Sequence, residues 1–312
     1  MEQIQEPMVE PLQEPQAPSR KQLQSVFGSI GLGLAIALLA SQLIQGVVMA
    51  LPLGIDMQSN AFLFGGLSTA LVALPVFFLF VKSLQQQLPQ KHSLSVGAFF
   101  ALVCISYACM VVGNMVGMGV NVLVSPGSVD LVAQLATASG FTPLTVVAFV
   151  VLAPVFEELI FRKLLVDRVL PYGEWPAILL SGITFGLYHG NLTQFFYAAL
   201  LGMMLAYVYI RTGNVLYTMG LHACVNFLGG VLPLLIPQAS ALILLVAIAG
   251  IVLFFMNKKK IHFEKAKYPG TISAMFLNGG MIVYMLLCLI LIASVAILMA
   301  NPELSNLSAL MQ

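Results

Sequence analysis

Glu157-Glu158-Leu159-Ile160-Phe161-Arg162 sets two carboxylates and a guanidinium inside a run that otherwise reads as a membrane helix. Two later apolar segments add Phe185-x-x-x-His189 and His222-x-x-x-Asn226. Charges in hydrocarbon cost roughly 2.5–3.5 kcal/mol on insertion scales, so they mark pairs, pathways or active sites. On a helix Glu158 and Arg162 are i and i+4 and can pair, while Glu157 projects about 100° away from Glu158. One carboxylate is thereby tied to arginine and one is left to point elsewhere. Phe185 and His189 share a face, and so do His222 and Asn226. A free carboxylate, two imidazoles and a carboxamide are suited to hydrolysis: a base takes a proton from water, and donors meet the charge that develops on a carbonyl oxygen. The plain alternative is a set of solvated interfacial charges, since Lys163, Asp167 and Arg168 follow directly.

Depth favours the chemical reading. Measured from Leu170, Trp175 and Asn214, Glu157 and His189 each lie roughly 20 Å along their helices, His222 roughly 12 Å and Asn226 roughly 18 Å. Four polar groups on three helices thus fall in one layer. The charges at 162–168 suggest a helix end in the cytoplasmic interface, which puts that layer in the cytoplasmic half. His92 and His262 sit beside lysines in loops and read as solvated.

The elements that position these groups are membrane spans. The chain is 60% hydrophobic and 8% charged, with a mean hydropathy of +0.98, outside the range of soluble domains. Apolar runs fall near 26–53, 61–83, 95–121, 143–169, 175–191, 194–211, 214–233, 239–256 and 273–299. The fifth is short for a core of about 30 Å. The expected fold is an all-α polytopic bundle of eight to nine spans, with the candidate residues on spans four to seven. Arg20-Lys21, Lys82 with Lys91, Arg162-Lys163-Arg168, Arg211 and Lys258-Lys259-Lys260 fall at alternate ends, and the intervening loops lack Lys and Arg. By the positive-inside rule the N-terminus is cytoplasmic and, with nine spans, the C-terminus outside. A re-entrant fifth span would change both the count and the C-terminal side.

Residues 1–22 repeat Glu and Pro with few apolar groups, the composition of a disordered cytoplasmic tail. The transmembrane domain is expected over 23–300, and 301–312 form a C-terminal tail. A net charge of +1 gives no basic surface for nucleic acid. Cys104, Cys109, Cys224 and Cys288 all lie in apolar spans without metal-ligand spacing. Gly113-x-x-x-Gly117 and Gly182-x-x-x-Gly186 have the spacing that lets membrane helices approach closely. Gln42, Gln45, Asn114 and Asn121 read as interhelical hydrogen-bonding groups. Nucleophile-elbow, phosphate-loop and paired-aspartate signatures do not occur.

Glu-Glu-x-x-x-Arg, Phe-x-x-x-His and His-x-x-x-Asn, intact and in order over 157–226, resemble the CAAX prenyl endopeptidase type II family. This is the CPBP or Abi group of intramembrane proteases, related to bacteriocin-processing and bacteriocin self-immunity proteins. The resemblance covers a core of about 143–233. It implies an endopeptidase acting on membrane-anchored or leader-peptide substrates, with the site opening toward the cytoplasm. It implies Glu157 as catalytic glutamate, His189 as its partner in activating water, His222 and Asn226 as the oxyanion pair, and Glu158, Arg162 and Phe185 as supporting residues. The family has been described both as metal-independent and as metalloprotease. The expectation is no cofactor, with zinc held by Glu157, His189 and His222 as the alternative. A non-catalytic immunity protein is the rival from another class. The lack of an organelle signal suits a bacterial plasma membrane, and the sequence does not give the oligomeric state.

Overall fold

A computed structural model describes residues 17–52, 60–124 and 142–300. Most of the tail at 1–22, the loops at 53–59 and 125–141, and the tail at 301–312 lie outside the described residues. Among the described residues the chain is helical and contains no strand. We number the helices α1 (Arg20–Ala50), α2 (Ala61–Val81), α3 (Val96–Val124), α4 (Pro143–Tyr172), α5 (Glu174–Tyr188), α6 (Leu192–Thr212), α7 (Val215–Leu235), α8 (Ser240–Asn257), α9 (Thr271–Phe276) and α10 (Gly279–Ala300). Among the described residues, eight helical segments are long and apolar enough to cross a membrane. Leu244, Leu245, Leu289 and Ile290 project outward from α8 and α10, as lipid-facing residues do. This is a polytopic membrane bundle.

The fifth expected span is the exception. α5 has 15 residues, about 22 Å at helical rise, short of a full crossing. It packs antiparallel on α6 as one arm of a hairpin. Its C-cap is His189, after which Gly190 takes φ +60°, the left-handed region that glycine occupies without cost. Asn191 then caps α6, its Oδ1 accepting from the N–H groups of Thr193 (2.9 Å) and Gln194 (3.2 Å). Both outer ends of this hairpin lie together, joined by the Glu174–Arg211 ion pair. A short α5 therefore does not change the side on which later helices emerge, contrary to the expectation that re-entrance would move the C-terminus.

Both glycine pairs meet α6. A Cβ on Gly182 or Gly186 would press on the carbonyl oxygens of Ala199 (2.8 Å) or Phe195 (2.6 Å), and one on Gly117 on that of Thr193 (2.5 Å). A Cβ on Gly113 would collide with the backbone of Tyr197, whereas nothing lies within 4 Å at Gly119. Gly113→Ala is expected to cost about 1–3 kcal/mol through overpacking. Its melting temperature in detergent should fall while that of Gly119→Ala stays near wild type.

The segments that carry the basic residues gather at one end. Gln87 N–H donates to Asp167 O (2.7 Å), His92 N–H to Thr212 O (2.9 Å), Trp175 N–H to Glu264 O (2.9 Å) and Lys267 N–H to Tyr172 O (3.0 Å). Trp175 stacks on Phe263 at 5.1 Å, and the guanidinium of Arg211 also donates to His262 O. The 82–95, 170–175, 211–214 and 258–270 segments thus form one basic collar. That is the arrangement the alternating lysines and arginines required.

Candidate active site

α4 departs from ideal helix where it carries the acidic pair. It is π-helical over Ala148–Leu152 and Leu159–Val166, with Ala153–Glu158 between them. Such turns free backbone groups and recur at functional sites. One freed group, the Phe161 carbonyl, accepts from the hydroxyl of Ser181 on α5 at 3.0 Å. The second π segment gives Glu158 and Arg162 their ion pair, Oε2 to Nε at 3.1 Å, with both side chains fully buried. Arg162 also donates to Gly202 O at 3.4 Å and stacks over the Phe185 ring at 4.6 Å. The solvated-interface reading does not hold for these groups. Nor does it hold for Asp167 and Arg168, which are 1% and 5% exposed. Asp167 pairs with Lys163 at 2.8 Å and accepts from the Tyr209 hydroxyl at 2.8 Å. Arg168 donates to Val81 O at 2.6 Å. These charges tie helices together and do not mark a lipid–water boundary, so they no longer place the site in the cytoplasmic half.

Glu158 has a second partner that the sequence did not reveal. Its Oε1 accepts from Nδ1 of His222 at 3.0 Å. That bond fixes the ring so that Nε2 faces Glu157 Oε2 at 3.7 Å. An imidazole oriented by a carboxylate has a defined tautomer and a single working nitrogen. The same logic applies to His189, whose Nδ1 lies 2.8 Å from Phe185 O. A carbonyl can only accept, so Nδ1 carries the hydrogen and Nε2 is left as the acceptor. The edge-on ring of Phe185 separates the two imidazoles, 4.9 Å from His189 and 5.6 Å from His222.

Glu157, His189, His222, Asn226 and Phe185 line one cavity of about 550 Å³. Glu157 is partly exposed to it and, among the described residues, makes no hydrogen bond. Asn226 reaches the cavity and directs Nδ2 to Phe149 O at 3.0 Å. Gln42 and Asn114 also line the cavity, as does Gln45, whose amide donates to Ser68 Oγ at 2.8 Å. Gln194, Tyr188 and Phe149 join them. Of these, Gln194 carried a signal, being a polar residue at the start of an apolar span.

Residues 139–228 match the family model for Type II CAAX prenyl endopeptidase, Rce1-like. Over these residues, less than a third of the chain, the protein is similar to that family. The match contains all three motifs, from Glu157 to Asn226, on α4 to α7. α1, α2 and α3 lie before the matched residues in sequence and α8 to α10 after them, yet α1 to α3 supply part of the cavity wall. No curated protein and no solved structure matches the chain.

Proposed function

We propose that this CAAX-type family member hydrolyses peptide bonds within the membrane by a glutamate-activated water, without metal. The observation that carries this reading is that Glu157 and two imidazoles line one cavity, each imidazole held at Nδ1 with Nε2 left for chemistry. With Nδ1 spent on Phe185 O, His189 offers an acceptor at Nε2. Glu157 offers a second acceptor in the same cavity. A water donating its hydrogens to both turns a lone pair toward the carbonyl carbon of a bound peptide. Glu157 takes the proton as the new C–O bond forms, and returns it to the amine nitrogen as the C–N bond breaks. His222 has Nδ1 spent on Glu158, so it donates from Nε2 only as imidazolium. Glu158 is itself paired with Arg162. The imidazolium and the second amide hydrogen of Asn226 receive the oxyanion.

Zinc on Glu157, His189 and His222 fits less well. Among the described residues no group of three or more His, Cys, Asp or Glu is arranged to hold a metal ion. We therefore route no step through a metal. Substrates are leader peptides or membrane-anchored proteins, in a bacterial plasma membrane with the basic collar and the N-terminus in the cytoplasm.

The test is cleavage of a prenylated peptide and a leader-peptide panel by purified protein, before and after stringent chelation. Turnover that survives chelation is the expected result. Loss on chelation with recovery on zinc add-back would replace the metal-free mechanism. Folded protein with no turnover on any class would favour a non-catalytic immunity role.

A further inference from the structure

The cavity draws on seven helices, and each contributes from near its middle or from the half away from the basic collar. α4 supplies Phe149, Ala153 and Glu157, and nothing beyond Glu157 toward Tyr172. α5 supplies its last turn and the capping His189, whereas α6 supplies residues from Gln194 to Leu201 and none later. α7 contributes from His222 onward, away from its collar end at Val215. α1 contributes only from Leu38 to Gln45, α2 only from Ala61 to Thr69, and α3 only Met110 and Asn114. Glu157 on α4 and His222 on α7 are the lining residues nearest the collar on their helices and so mark the cavity floor.

Between that floor and the collar the bundle is closed. Phe161, Arg162, Leu165 and Val166 of α4 are at most 0% exposed, as is Leu205 of α6. Asp167 and Tyr209 bond across the same level at 2.8 Å. A peptide approaching from the collar would have to open a buried ion-pair network, whose disruption costs several kcal/mol. On the other side the walls carry polar groups inside apolar spans. Gln42 projects from α1, Asn114 from α3 and Gln194 from α6. Carboxamides both donate and accept, and so match the backbone of an extended, unwound peptide.

We infer that substrate reaches Glu157 from the end of the bundle opposite the basic collar, so that the cleaved bond belongs to a peptide segment on the extracytoplasmic side. The inference rests on the hydrolase reading for the word substrate, but its geometry is independent of activity. Single cysteines at Gln42 and Gln194, with Lys259→Cys as the collar marker, are to be probed with a membrane-impermeant maleimide. Wild type, carrying its own four cysteines, sets the background in intact cells and in inverted vesicles. Labelling of Gln42→Cys and Gln194→Cys from the side opposite Lys259→Cys is the expected result. Labelling from the same side as Lys259→Cys, or from neither side, overturns it. Either failure would leave the Glu157 chemistry standing. Loss of the hydrolase reading, in turn, would leave the labelled side unchanged.

Discussion

Glu157→Gln should abolish peptide cleavage while leaving the protein folded and as stable as wild type. The reason lies in how little holds the Glu157 side chain. It makes no hydrogen bond among the described residues, and His222 Nε2 lies 3.7 Å from its Oε2. Glutamine keeps the volume and one acceptor oxygen but cannot take a proton at neutral pH. Losing a general base typically costs about 10²–10⁴ in rate, which is the expected drop in kcat/KM on whichever peptide the wild type cleaves. A change in a site with no structural bond usually stays within about 0.5 kcal/mol, so the detergent melt should be unchanged. Turnover above about a tenth of wild type would remove Glu157 as the base. A melt that collapsed would instead make Glu157 a structural carboxylate.

The sequence showed the layer but not its wiring. Helical arithmetic alone put Glu157, His189, His222 and Asn226 at comparable depths, and the structure brings all four to one cavity. Pairing of Glu158 with Arg162 was equally legible, because i, i+4 geometry is local. The Glu158–His222 bond was not, because it joins residues 64 positions apart and its register depends on how α7 packs against α4. The same holds for Asn226 and Phe149 O, a backbone acceptor that leaves no trace in residue identity. Two sequence arguments misled for one physical reason. Asp167 and Arg168 read as interfacial charges, and α5 as a span, because hydropathy treats each helix as if it stood alone in lipid. In the bundle those charges are buried against other helices. α5 can be short because α6 covers it, and Gly190 turns the chain back before the far side.

Arg162→Met is expected to be the most destabilising single change in the core. The arginine is completely buried and its main electrostatic partner, Glu158, is buried too. Removing one member of such a pair strands a charge away from water and typically costs about 3–5 kcal/mol. The stranded carboxylate would keep its bond to His222 Nδ1, at 3.0 Å, but no cation to balance it in place of Arg162. Glu158→Leu should be destabilising in the same range, since it strands the guanidinium above Phe185. The double variant Glu158→Leu/Arg162→Met separates packing from positioning. With both charges gone and apolar volume in their place, it should melt above either single variant, because apolar replacement of a buried ion pair is often neutral. Activity should not return with stability. Without Glu158 nothing holds the His222 Nδ1 hydrogen, the ring loses its fixed orientation, and the oxyanion loses a positioned donor worth about 10²–10³ in rate. The detergent melt and the cleavage rate of all four proteins decide the matter. A stable and fully active double variant would reduce Glu158 and Arg162 to packing residues. A stable but slow one, with its pH–rate profile altered, would make Glu158 the group that positions His222.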